Sequence, residues 1–260
     1  MQTLKYKKLV GTYYPTILPS KWLIIIALWA PNIEDIENLR NREILNNGGY
    51  DVFVPEYYWF CRSGGFFSPY SSLATLIDSY SIFTYGYKFM DIHSRKSFSK
   101  KYDIIHFLWL SYGGSIVMLL PRFLSSIKSI GAFYPVLDYK RLWSRYDEET
   151  AIDFLGMLRG PYRNLYRLSD TAIWKRHFSH KTDIIPSSHR NMKYLSSTHI
   201  FLAHGKSDIS ISYTRTEKYA RKIDRISTVK NLCILYEGLS HGYDTLVPAS
   251  YDFIAWLDAL

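Results

Sequence analysis

LWLSYGGSIVMLLP, residues 108–121, places a serine between two apolar runs. The run leading into it, IIHFLWL (104–110), has the length and apolar content of a buried strand. The run leaving it, SIVMLL, continues as a helical pattern. A strand that turns straight into a helix through Ser111-Tyr112-Gly113-Gly114 bends the backbone sharply, so small residues are needed around the bend. The same geometry leaves the serine at a helix N-terminus, where backbone N–H groups favour negative charge. Ser111 is therefore the candidate nucleophile. One residue stands against it. Trp109, two positions earlier, puts a bulky side chain where the turn is tightest. The expectation is a turn displaced by about an ångström, which can slow a reaction about a hundredfold.

Outward from this stretch, further short apolar blocks lie at 22–28, 51–55, 130–134, 198–203 and 231–236. None alternates strictly, the pattern of strands covered on both faces. Helical patterns are expected at 33–46, 73–89, 114–126, 212–223 and 249–260. The alternation of strand and helix predicts an α/β chain with a mostly parallel sheet and helices on both sides. No internal repeat or low-complexity linker interrupts residues 1–260, which read as one domain. The interval from 139 to 197 is too long for a single crossover. It carries a helical segment, DEETAIDFLGMLRG (147–160), and a second near 169–178, an insertion suited to a lid over the strand ends.

Composition narrows the classes further. The 260 residues are 47% hydrophobic and 21% charged, enough for a large core and against disorder. The net charge of +9 comes from scattered lysines and arginines rather than a basic tail or stripe, so no nucleic-acid partner is expected. The most apolar run, WLIIIALWA (22–30), has about half the length a membrane-spanning helix needs. MQTLKYKKLV lacks the apolar core of a signal peptide. The two cysteines, Cys61 and Cys233, suggest neither a disulfide framework nor a zinc site, and a reducing cytoplasm is the expected location. No spacing of His, Cys or Gly matches a metal or cofactor fingerprint, and no cofactor is expected.

Two more strand-end loops carry chemistry. In FLAHGKSDISIS a carboxylate, Asp208, follows a strand and precedes a helix. In LYEGLSHGYD a histidine, His241, follows the last strand and precedes the last helix. A carboxylate in such a place orients an imidazole, and an imidazole there exchanges protons near neutral pH. Asp138, in PVLDY, follows another strand and is a rival for the acid role.

The order Ser111, Asp208, His241 is that of the α/β-hydrolases, and the sequence resembles that superfamily along nearly its whole length. GTYYPTILPSKWLIIIALWAPN (11–32) is similar to the opening hairpin and oxyanion strand. GGYDVFVPEYYWFCRSGGFFSP (48–69) is similar to the segment G-Y-x-V-x-x-P-D-x-R-G-x-G-x-S, with Glu56 at the acidic position. HGKSDISIS resembles the acid loop and SHGY the histidine loop; SYGG with IGAFYPVLDY resembles the prolyl-oligopeptidase and dienelactone-hydrolase branches.

The resemblance implies a serine hydrolase acting on a small-molecule or peptide ester, thioester or amide. Ser111 would be the nucleophile, His241 the base and Asp208 its orienting acid. The backbone N–H groups of Tyr112 and Ala30 would form the oxyanion hole, Pro31 having none to give. An acyltransferase using the same triad, or an inactive binding protein on the same fold, remain alternatives. Aromatic residues at a possible entrance (Tyr57, Tyr58, Trp59, Tyr112) and lid (Tyr162, Tyr166, Trp174) suit either an apolar acyl group or core filling. The cations Arg159, Arg163, Arg167, Lys175 and Arg176 suit either an anionic substrate or a solvated face.

Overall fold

Neighbouring residues in the central strands serve two different cores. Leu23, Ile25, Phe107, Trp109, Ile130, Ala132, Ile200 and Leu202 pack on one side; Ile24, Ile26, Leu108, Leu110, Phe133, Phe201 and Ala203 pack on the other. A period of two with apolar side chains at both phases is what a sheet covered on both faces requires. The computed structural model describes residues 1–27, 36–58, 60–139, 151–160, 163–168 and 170–260.

Among the described residues ten strands form one sheet: β1 (Gln2–Tyr6), β2 (Leu9–Tyr14), β3 (Leu23–Ala27), β4 (Asp51–Pro55), β5 (Phe89–Asp91), β6 (Ser97–Phe98), β7 (Ile105–Leu110), β8 (Ser129–Phe133), β9 (His199–Gly205) and β10 (Leu232–Tyr236). Their order is β10-β9-β8-β7-β3-β4-β2-β1-β5-β6. The six strands from β10 to β4 run parallel, and β2, β1, β5 and β6 extend the sheet antiparallel. One face is covered by α2 (Pro69–Tyr85), α3 (Tyr112–Val117) and α7 (Tyr213–Asp224), the other by α1 (Ile36–Asn47) and α8 (Tyr243–Asp258). Within the 139–197 interval lie α4 (Ala151–Arg159), α5 (Thr171–Phe178) and α6 (His189–Met192).

Several expected boundaries move. The helix expected at 73–89 is α2, which begins at Pro69 behind a Ser68–Ser71 capping box and stops at Gly86, in the left-handed conformation. Phe89 belongs instead to β5. The helix expected at 114–126 is only α3 plus a 3₁₀ turn at Leu120–Arg122, cut short ahead of Pro121. The last helix starts six residues early and contains Pro248. No helix among the described residues is long and apolar enough to cross a membrane.

Candidate active site

The parallel strands β7, β8, β9 and β10 are consecutive neighbours, so their carboxyl ends share one edge, where α/β sheets gather reactive groups. Ser111 follows β7 with φ 52° and ψ −123°, a conformation strained for any residue with a Cβ. Backbone bonds hold it there. Its N–H donates to the Phe133 carbonyl (3.0 Å), and its own carbonyl accepts from Gly114 (2.9 Å) and Val136 (3.2 Å). Among the described residues no hydrogen bond reaches its hydroxyl.

Trp109 packs beside this turn, against Gly113. Its indole is fully buried on the face that α3 covers, and a Cβ added to Gly113 would lie 0.6 Å from Trp109 Nε1. The indole fills the place of the missing side chain at Gly113, two residues after Ser111. The bulk expected to disturb the turn is absorbed by that glycine, and Tyr57 packs on the indole with ring centroids 5.8 Å apart.

The acid and histidine loops are fastened to each other. Ser207 N–H donates to the Leu239 carbonyl (2.9 Å) and Lys206 N–H to the Tyr236 carbonyl (2.8 Å). Gly205, at the end of β9, permits this approach, for a Cβ there would lie 2.3 Å from the Leu239 carbonyl oxygen. His241 Nδ1–H then donates to Asp208 Oδ2 at 2.7 Å. The other carboxylate oxygen, Oδ1, accepts the N–H groups of Ser210 and Ile211, both at 2.8 Å. Asp208 is fully buried at its side chain, and His241 keeps about a quarter of its own exposed. Burial alone would raise the Asp208 pKa. The bonds from His204 and His241, the charge of His241 and the Ile211 N–H outweigh it and hold the carboxyl well below the usual range.

Tyr134 links the two halves. It follows β8 with φ 38°, its N–H donates to the Ala203 carbonyl (2.7 Å), and its ring lies 4.4 Å from the ring of His241. The Ser111 backbone and the His241 ring thus rest on one short segment, residues 133–136.

Asp138, the rival acid, pairs with His180 at 3.0 Å, and it is Asp208 that accepts from His241. Tyr112 places its backbone N–H at the first position of α3, while its side chain is buried and donates to Ser72 Oγ (3.2 Å). Ala30 and Pro31 lie outside the described residues, as do Trp59 and Tyr162.

The remaining aromatic residues are mostly core. Tyr57, Tyr112, Tyr166 and Trp174 are buried, with Phe154 and Trp174 against Tyr112 at 5.3 and 5.9 Å. These contacts anchor α4 and α5 over α3. The bridges Phe60–Tyr166 and Phe67–Leu168 tie the same interval to the chain after β4. Arg159, Arg163, Arg167, Lys175 and Arg176 are all exposed. Glu56 binds Arg62 through its backbone N–H (2.8 Å) and Nε (2.6 Å), closing the loop after β4. Sequence reasoning missed His204 and Tyr134. The first had a signal, the histidine that opens the acid loop; the second had none.

No protein-family model matches the chain, and no curated protein matches it by sequence. Solved structures do. Est1E from Butyrivibrio proteoclasticus aligns with a TM-score of 0.65 over 99% of this chain and 97% of its own, at 14% identity. That enzyme's structure is also known with ferulic acid bound. A monoacylglycerol lipase from Paleococcus ferrophilus aligns at 0.61 over 96% and 98%, with 13% identity. An alpha-beta serine hydrolase homologue from Coxiella burnetii aligns at 0.63 over 99% and 97%, with 10% identity. The strand order, the helices on both faces and these alignments over nearly the full chain agree: the chain has the α/β-hydrolase fold.

Proposed function

We propose that the chain is a serine hydrolase that cleaves an ester, thioester or amide through Ser111, His241 and Asp208. The observation that carries this reading is the pairing of a strained serine on a strand–helix turn with a buried Asp208–His241 couple at the same sheet edge. Asp208 fixes Nδ1 of His241 as the protonated nitrogen, which leaves Nε2 to take a proton from the Ser111 hydroxyl. Ser111 Oγ attacks the carbonyl carbon, and the tetrahedral oxyanion is met by the N–H of Tyr112 and, on the resemblance, that of Ala30. His241 then protonates the leaving group. Water, deprotonated by the same nitrogen, releases the acid from the acyl-enzyme. A serine hydroxyl without a hydrogen bond among the described residues is compatible with this chemistry, because such bonds tighten in the substrate complex.

Esters are the first substrates to test, since Est1E and the monoacylglycerol lipase support an ester-cleaving reading. The 139–197 interval is the proposed cap, and residues 1–260 the single catalytic domain. The test is labelling of the purified protein with a fluorophosphonate, with the modified peptide located by mass spectrometry. Modification at Ser111 that disappears in Ser111→Ala supports the proposal; a folded, unlabelled wild-type protein overturns it.

A further inference from the structure

Behind the Asp208–His241 couple stands a second histidine. His204 lies on β9 with no solvent exposure at its side chain. Its Nε2 is 2.9 Å from Asp208 Oδ2, the same oxygen that His241 uses, and 2.9 Å from the Ile211 carbonyl. Both of these neighbours are acceptors, so Nε2 carries a hydrogen and donates. Its Nδ1 meets the hydroxyl of Thr216, buried on α7, at 2.7 Å. The result is a continuous chain, Thr216–His204–Asp208–His241, running from a helix on one face of the sheet to the histidine loop. Asp208 ends up with a donor on every side: two backbone N–H groups on Oδ1 and two imidazoles on Oδ2.

We propose that His204 is a positioning residue for Asp208, holding Oδ2 in line with His241 and setting how tightly His241 keeps its proton. The inference rests on the hydrolase reading above. Its physical content is competition: two N–H donors share one carboxylate oxygen, and each weakens the hold of the other. With His204 in place, part of the negative charge at Oδ2 is already answered, and the imidazolium form of His241 is stabilised less. Without it, Asp208 turns its full charge on His241 and is itself held by one bond fewer, so the imidazole keeps its proton more tightly and is correctly aimed less of the time.

The other groups near His241 stay fixed in this comparison. Tyr134 faces its ring from the end of β8, and Tyr243 and Asp244 follow it in the first turn of α8, with Asp244 accepting from Ser240 Oγ (2.8 Å). The Lys206–Glu237 ion pair bridges the ends of β9 and β10.

The test compares wild type with His204→Phe, which keeps the ring and removes the donor, and His204→Gln, whose amide restores one. Thr216→Val, a change of nearly equal volume, is the fallback should the phenylalanine variant not fold. Two quantities are read: the pKa of the His241 imidazole by NMR titration, and the pH profile of the fluorophosphonate labelling rate at Ser111. In His204→Phe the pKa rises by about one pH unit, the acid limb of the labelling profile moves with it, and the rate at pH 7 falls by at least about tenfold. His204→Gln returns both towards wild type, and Thr216→Val shifts them in the same direction by less. An unchanged His241 pKa in folded His204→Phe or Thr216→Val overturns the positioning role. A purely structural part for His204 is recognised by lower stability with an unmoved titration, and it also overturns the inference. Failure of the hydrolase reading is distinct: wild type is then not labelled at all, whatever the titration shows.

Discussion

Exchange of Gly113 for alanine, alone and together with Trp109→Ala, tests how the turn at Ser111 accommodates its bulky neighbour. The added methyl would sit 0.6 Å from Trp109 Nε1, and an ordinary contact begins at 3.4 Å. The indole would have to retreat by roughly 3 Å in a core packed like a crystal, which amounts to expelling it. Gly113→Ala should therefore cost about as much as losing a buried tryptophan, about 3–5 kcal/mol. Trp109→Ala should cost a similar amount, towards the lower end because its Nε1 has no hydrogen-bond partner to lose among the described residues. Once the indole is gone the methyl at 113 has room, and alanine is the better helix former by up to about 1 kcal/mol. The double variant should then lie near about 3 kcal/mol, where independent effects would sum to about 6–9 kcal/mol, a coupling of at least about 3 kcal/mol. Urea unfolding of the four proteins measures it. A Gly113→Ala protein within about 1 kcal/mol of wild type, or a double variant at the sum, would falsify the reasoning that the glycine exists to seat the indole.

Acid should act on the fold through groups other than Asp208 and His241. Burial pushes His106 down to about 4, and burial reinforced by the charge of His180 pushes His177 down to about 3. Both return to about 6.5 on unfolding, so the unfolded state takes up protons first as the pH falls. Their contribution is intact above about pH 6.5 and declines below it, by up to about 1.4 kcal/mol per pH unit for each histidine. Urea midpoints between pH 7 and 4 should show this slope, and His177→Leu should flatten it; an unaltered slope would count against buried neutral imidazoles. Asp51 works the other way. Burial would raise its pKa, but Lys100, Tyr102, Thr16 N–H and Ser20 hold it below the carboxylate range. Its stabilisation is present above about pH 3.9 and is lost as the pH falls through the depressed folded value. Asp51→Asn should lose about 2–3 kcal/mol at pH 7, tempered by the partial exposure of Lys100, with the gap to wild type closing below about pH 3.9. A gap that persists there would assign the loss to packing.

How much the sequence revealed depended on whether an element was specified locally. The strand at 51–55 has the bounds read from its apolar block, and the parallel strands on either side of Ser111 shift by a residue or two, because both faces of each are buried and the block has sharp polar ends. β5 and β6 escaped notice. They are three and two residues long, at the rim of the sheet, and the pairing of β5 with β1 is a long-range fact that leaves no periodic trace. Pro248 obscured the start of α8, whose first turn is instead defined by contacts of Thr245 with Ser240 and of Leu246 with the core. At the site, the loop residues with chemistry were legible because each follows a strand. The Trp109–Gly113 fit was not: it depends on two side-chain volumes across one turn, and each residue read alone suggested a different outcome. Asp208 was distinguishable from Asp138 by motif only; the bond to His241 makes the difference physical.

The conformation of Ser111 has a consequence for how this chain can change over generations. A side-chain-bearing residue at φ 52° and ψ −123° costs about 1–3 kcal/mol relative to glycine, and glycine gives back at most about 1 kcal/mol through its freer unfolded chain. The serine hydroxyl offers no compensating bond among the described residues. Ser111→Gly should therefore be neutral or stabilising. Thermodynamic drift alone would steadily replace the serine with the residue its backbone favours. A lineage that holds serine at this position does so against the preference of its own fold, and that persistence is a trace of use.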